Sequence, residues 1–219
     1  MNMNKWKGMA AAAALILAFV LWTILIRTVD VQPVGVNGTN IGFAAVNTWF
    51  HRLTGVHMGI YTITDWLGLV PIAVCMALGV LGLVQWIRRK HILKVDRDIL
   101  LLGVYYILVI VGYLIFEMIP INYRPRLIAG AMEASYPSST TLLVLSVMPT
   151  LLFQVHRRAR KPWVQRFTAA FVVLFSAFMV IGRLVAGVHW LTDIVGAVLL
   201  SAGLYCLSRS TVILMERKS

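Results

Sequence analysis

The sequence predicts an all-α, six-span transmembrane helical bundle forming a single domain over residues 1–219. Three observations carry that prediction. Of 219 residues, 60% are apolar and 13% are charged, about half the roughly 25% charged of a soluble domain. The mean hydropathy is +0.84. The apolar residues also gather into six runs, each close to the roughly 20 residues that one bilayer crossing requires. Together these exclude a disordered chain and leave no room for a second domain.

The runs are taken in order. Residues 8–26 carry no charge and continue into Arg27-Thr28-Val29-Asp30 without a small-x-small cleavage site, so an uncleaved first span is expected rather than a signal peptide. Residues 66–87, 99–116 and 134–155 are uncharged and mark spans two, three and four. Residues 167–182 and 194–208 are shorter and must extend past Arg183 and Arg209, the second of which can snorkel to the surface. The expected spans are 8–27, 66–87, 98–118, 136–155, 166–186 and 190–209. Cys75 and Cys206 fall inside runs and read as small core hydrophobes.

The net charge of +12 would in a soluble chain suggest nucleic acid. Here the cations sit in short loops instead. Lys5, Lys7 and the stretches 88–97, 157–166 and 209–218 place 15 of the 20 Lys and Arg on one side of a six-span bundle. Only Arg27, Arg52, Arg124, Arg126 and Arg183 fall on the other. The positive-inside rule then sets both ends of the chain in the cytoplasm of a plasma-membrane protein, with no nucleic-acid partner. The outer segments are 27–65, 120–136 and 187–190. In the first, Phe43, Val46, Trp49, Phe50 and Leu53 recur at near-helical spacing, as in a helix lying on the membrane surface.

Ionisable residues at span ends are functional candidates, and they cluster on this outer side. Glu117 ends span three, and Arg124-Pro125-Arg126 follows. Pro137-Ser138-Ser139-Thr140 opens span four. Arg183, His189 and Asp193 bracket the last outer turn. His189 and Asp193, four apart, share a helix face, so the carboxylate can accept the imidazole Nδ1–H and leave Nε2 free as nucleophile or base. The Arg183 fork suits two phosphate oxygens; an Arg183–Asp193 ion pair beside a packed histidine is the structural alternative. No carboxylate cluster for Mg²⁺ and no His/Cys set for Zn²⁺ appears, so no metal and no cofactor is expected.

The order and spacing Glu117-x6-Arg124-Pro125, Pro137-Ser138-Ser139-Thr140 and Gly182-Arg183-x5-His189-x3-Asp193 resemble the three motifs of the type-2 phosphatidic acid phosphatase (PAP2) family: Lys-x6-Arg-Pro, Pro-Ser-Gly-His and Ser-Arg-x5-His-x3-Asp. The resemblance implies metal-independent hydrolysis of a lipid phosphate or a polyprenyl diphosphate, such as undecaprenyl diphosphate, at the outer face. In it His189 takes the phosphoryl group and Asp193 orients it. Arg124 and Arg183 clamp the phosphate, and Ser138, Ser139 and Thr140 bind it at a helix N-terminus. Two positions depart from the pattern. The first-motif lysine is Glu117, and the second-motif histidine, which protonates the leaving group, is Thr140. Glu117 is therefore a candidate relocated acid. Transfer from His189 to an acceptor other than water, and a non-catalytic lipid-binding member, are the alternatives. The partners implied are the lipid substrate and membrane lipids; the sequence leaves the oligomeric state open.

Overall fold

A computed structural model describes residues 3–216; Arg217, Lys218 and the Lys5 side chain of the charge count above lie outside the described residues. Eight α-helices follow one another: α1 (Met3–Thr28), α2 (Ala44–Thr54), α3 (Met58–Leu67), α4 (Leu69–Arg89), α5 (Arg97–Met118), α6 (Ser139–Arg158), α7 (Pro162–Val185) and α8 (Leu191–Glu216). No strand forms among the described residues. Six helical stretches are long and apolar enough to cross a membrane, with α3 and α4 together making the second, Met58–Arg89. The protein is a multi-pass membrane bundle.

The second crossing differs from its sequence expectation at one end. The apolar run opens at Trp66, but the helix opens at Met58. Asp65 therefore belongs to a spanning helix and not to an outer loop. The residue closing the gap between α3 and α4 is Gly68, whose N–H still reaches the Thr64 carbonyl at 3.1 Å.

The bundle is built around α6 and α8, of which about 44% is buried, against 11–22% for the other four crossings. Lipid tails are as apolar as the core, so burial here comes from side-chain packing. One apolar cluster joins α1, α5, α6 and α8 through Phe19, Ile26, Leu102, Tyr105, Leu142 and Leu200. A second joins α6 to α7 through Val144, Met148, Val172 and Met179, with Leu67, Val70 and Val74 packed on it. The outward faces carry exposed Leu17, Leu21, Ile24, Val80, Ile107, Ile110, Val173 and Leu174, as lipid contact requires.

The α2 helix is amphipathic. Val46, Trp49 and Leu53 are exposed, while Asn47 is buried against α8. Asn47 Nδ2 donates to the Gly42 carbonyl (2.8 Å) and to Thr192 Oγ1 (3.0 Å), and its Oδ1 accepts the Thr192 N–H (3.3 Å). This cross-link fastens α2 onto the first turn of α8. The neighbouring turn 186–190 is held from the same side. Gly187 has φ +69°, and a Cβ there would lie 2.2 Å from the Gly55 carbonyl oxygen. Only glycine fits both the left-handed backbone and that approach. The His57 N–H donates to the Ala186 carbonyl (3.1 Å), and His51 Nε2 sits 3.2 Å from the Gly187 carbonyl. The segment between α1 and α3 thus braces the turn that carries His189.

Candidate active site

The site forms where the α5–α6 connection, the start of α6, and the α7–α8 turn meet. His189 lies in that turn and is 3% exposed; Asp193, in the first turn of α8, is fully buried. His189 does not share the α8 face that its spacing predicts, since α8 opens at Leu191, but the turn still brings its Nδ1 within 3.8 Å of Asp193 Oδ2. That is too long for a hydrogen bond. The nearer acceptor for Nδ1 is the Ser135 carbonyl at 3.1 Å. A carbonyl can only accept, so Nδ1 carries the proton and the Nε2 lone pair accepts from Arg183 Nη2. Asp193 works one step back. Its Oδ2 accepts the Trp190 N–H (2.9 Å), its Oδ1 accepts from Asn122 Nδ2 (3.1 Å), and its backbone carbonyl accepts the Ser138 N–H (3.2 Å). It ties the histidine turn, the α5–α6 connection and the α6 N-terminus to one point.

Burial pushes the His189 pKa down to about 4, and the charges of Arg124 and Arg183 add to this; the Asp193 carboxylate opposes it. The imidazole is therefore neutral, as a nucleophile must be.

Two guanidinium groups converge on it. Arg183, at the end of α7, is 1% exposed, and its Nη2 lies 3.4 Å from His189 Nε2. Its guanidinium stacks on the Tyr61 ring, 4.9 Å from the centroid, and Nη1 is 3.5 Å from Asp65 Oδ1. The carboxylate beside Arg183 is thus Asp65, and no Arg183–Asp193 pair forms. Arg124 is 8% exposed, with Nε 3.0 Å from Glu133 Oε2 in a misaligned contact. For both arginines, Nε and Nη1 are buried without a hydrogen bond. An unsatisfied buried donor costs about 1–3 kcal/mol, more when charged. Two of these nitrogens, Arg124 Nε and Arg183 Nη1, have a carboxylate oxygen at 3.0 and 3.5 Å, and together the two arginines put buried positive charge beside His189 that suits an anion.

The remaining candidates lie around this site, on α6 and in two neighbouring cavities whose linings include neither His189 nor Arg183. Ser138 is fully buried and donates from Oγ to Thr141 Oγ1 (3.1 Å). It precedes the first turn of α6, whose N–H groups lack intrahelical partners. Two cavities share Tyr113 and Ser139. One, about 230 Å³, is polar and includes Glu117, Arg124, Glu133 and Ser135. The other, about 270 Å³, is apolar and runs between α4, α5 and α6, with Asp65 and Thr140 at its polar end. Glu117 is exposed and lies on the Arg124 side; Thr140 lies on the Asp65 side. Arg126 is exposed, and Glu133 faces Arg124.

Sequence reasoning passed over Asn122, Asn47, Ser135, Tyr61 and Asp65. The first four carry no charge to mark them. Asp65 did carry a signal, an acid at the margin of an apolar run.

The sequence profile of the PAP2 superfamily matches residues 99–213, more than half of the chain. The chain belongs to the PAP2 superfamily. Its fold is similar to that of the transmembrane PAP2-type phosphatidylglycerolphosphate phosphatase from Bacillus subtilis. The TM-score is 0.58 at 18% identity, over 94% of this chain and 96% of that one. No curated protein matches the sequence. The PAP2 profile begins in α5 and ends in α8, so it spans all three motifs. The first crossing, the outer segment, and α3 with α4 lie before it.

Proposed function

We propose that the protein hydrolyses a lipid phosphate or polyprenyl diphosphate at the outer membrane face, without a metal, through a phosphohistidine on His189. The observation that carries this reading is a neutral histidine whose Nε2 accepts from buried Arg183 Nη2, beside a second buried arginine, Arg124, whose charge also acts on it.

The chemistry follows from those positions. The terminal phosphoryl group sits between Arg124 and Arg183, which spread its charge over two planar forks. Ser138, Ser139 and Thr140 contribute hydrogen bonds at the α6 N-terminus. The Nε2 lone pair attacks phosphorus in line with the departing oxygen. The imidazolium formed keeps Nδ1–H on the Ser135 carbonyl, and the Asp193 carboxylate at 3.8 Å stabilises its charge. Asp193 also positions the turn through Trp190 N–H and Asn122. The polar cavity suits the head group and the apolar one a lipid chain.

Thr140 stands where the family has its proton-donating histidine. A hydroxyl is no acid near neutral pH, and a missing general acid costs about 10²–10⁴ in rate. A phosphate leaving from a diphosphate has a pKa of about 6 and departs without that help, so this site favours diphosphates. On a monoester, Glu117 is the group assigned to protonate the leaving alcohol.

The test is phosphate release by purified protein from a panel of lipid phosphates and diphosphates in the presence of EDTA. The expected result is chelator-resistant release, faster from diphosphates. No release from any member, with phospholipid binding intact, overturns the catalytic reading in favour of a lipid-binding protein. Release only with an added alcohol acceptor favours a phosphotransferase.

A further inference from the structure

A phosphohistidine needs a second reaction, attack by water, and water needs a base. The residue at the family's histidine position, Thr140, cannot serve. We propose that Asp65 is that base; this rests on the phosphohistidine reading above and extends it to the second half-reaction.

The geometry is that of one guanidinium with a reacting group at each end. Arg183 Nη2 lies 3.4 Å from His189 Nε2, and Arg183 Nη1 lies 3.5 Å from Asp65 Oδ1. A phosphoryl group held by Arg183 has His189 on one side and Asp65 within reach of the other. In-line displacement puts the incoming water opposite the P–Nε2 bond. Asp65 also shares the wall of the apolar cavity with Ser139 and Thr140. Departure of the lipid product empties that cavity and opens the path for water past the carboxylate. The Asp65 side chain is 58% exposed and lines that cavity, where a water molecule can reach it once the product has left, unlike fully buried Asp193. Its only ion pair among the described residues is with Arg183.

The local sequence is adapted to bring it there. The third motif opens with serine in the family and with Gly182 here. A Cβ at Gly182 would lie 2.7 Å from Thr64 Cγ2, and Thr64 is fully buried. The absent side chain lets α3 close onto α7, and that contact carries the next residue, Asp65, to Arg183. The lost motif-two histidine, the lost motif-three serine and the acid on α3 then belong to one rearrangement.

The step balances as follows. Water oxygen bonds to phosphorus as the P–Nε2 bond breaks. The electron pair returns to Nε2, the water proton passes to Asp65 Oδ, and inorganic phosphate leaves. Asp65 then loses its proton to solvent.

The experiment uses farnesyl diphosphate and phosphatidic acid, each with ³²P in the terminal phosphate, and the full-length protein in detergent or vesicles. Asp65→Asn is expected to release lipid product in a burst near one equivalent. Acid-labile, base-stable label should accumulate on His189, and steady-state phosphate release should fall by about 10²-fold. Asp65→Glu should restore most turnover and remove the accumulated label. If Asp65→Asn slows the burst itself and accumulates no more label than wild type, Asp65 merely positions Arg183 and the proposal is overturned. If wild type hydrolyses the substrates but label never reaches a histidine in either protein, or if it hydrolyses neither, the phosphohistidine reading falls and takes this proposal with it.

Discussion

Buried charge occurs at both ends of the bundle, and the two ends treat it differently. At the end carrying most of the cations, Asp98 is 4% exposed and meets Arg158 Nη1 at 2.9 Å and Arg157 Nε at 3.3 Å. Asp96 pairs with Arg89 at 2.8 Å and with Arg158 Nη2 at 3.4 Å. The Gln85 side chain donates to Asp96 Oδ2 and accepts the Asp96 N–H, and Arg158 also donates to Gln154. Asp96 and Asp98 each have basic partners. At the other end, Arg124 and Arg183 are more buried than any of those arginines and keep four N–H-bearing nitrogens without hydrogen bonds. A closed network staples helices; an open one awaits an anion. Burial alone does not mark a functional site, whereas unsatisfied burial does.

The comparison is broken most severely at the nucleophile. His189→Ala should lower phosphate release by at least about 10⁴-fold while the helical content and detergent-extracted mass stay those of wild type. Retention of more than about a tenth of wild-type activity removes His189 from the role. Next come the clamps. Arg183→Lys and Arg124→Lys keep the charge but lose the two-point grip, at a cost of roughly 2–5 kcal/mol. That corresponds to a loss of about 30- to 4,000-fold in kcat/KM. A near-normal kcat/KM for either variant shows that its unsatisfied nitrogens serve another purpose.

A gain is expected at Thr140. Thr140→His restores a proton donor beside the leaving group and should raise monoester turnover by about tenfold or more, with little change on a diphosphate. Equal effects on both substrates contradict the leaving-group reasoning.

The closed end sharpens the contrast from the other direction. Asp98→Asn removes a charged hydrogen-bond acceptor, for a stability loss of about 1–3 kcal/mol. A lower thermal midpoint with unchanged kcat/KM is the expected pair of results. A large fall in kcat/KM at unchanged stability would make this end functional as well.

The smallest effect is in the pH profile. The His189 pKa is pushed down to about 4 by burial first and by the two arginines next. Its neutral form therefore persists down to about pH 5, and kcat/KM should have no limb near 6.5, the ordinary histidine value. The stability consequence has the same origin. Between pH 6.5 and 4 the unfolded chain binds the proton that folded His189 refuses, so its contribution is full above 6.5 and is lost as pH falls through that window. An activity limb centred near 6.5 shows a solvated histidine and refutes the enclosed site.

The charged half of the site was legible in the chain. Periodicity placed six crossings, and spacing brought the candidates Glu117, Arg124, Ser138, Arg183, His189 and Asp193 to connections at one end of the bundle. That His189 and Asp193 lie four apart needed no tertiary information, although His189 sits in the turn ahead of α8 and not on its face. Their bonding did: Ser135 supplies the closer acceptor and Asn122 holds the carboxylate, across 54 and 71 residues of chain.

What the sequence by itself determined is therefore what depends on composition and local period: the membrane, the helices, their number, and which charged groups lie at which end. What only the tertiary structure decided is partnership. Arg183 faces Asp65 and not Asp193, because Gly182 lets α3 approach α7 while Asn122 and the Trp190 N–H already occupy the Asp193 oxygens. Hydropathy reads each residue against lipid or water, one at a time. A hydrogen bond depends on the direction and distance of two groups at once, and for residues far apart in the chain those are set only when the helices pack.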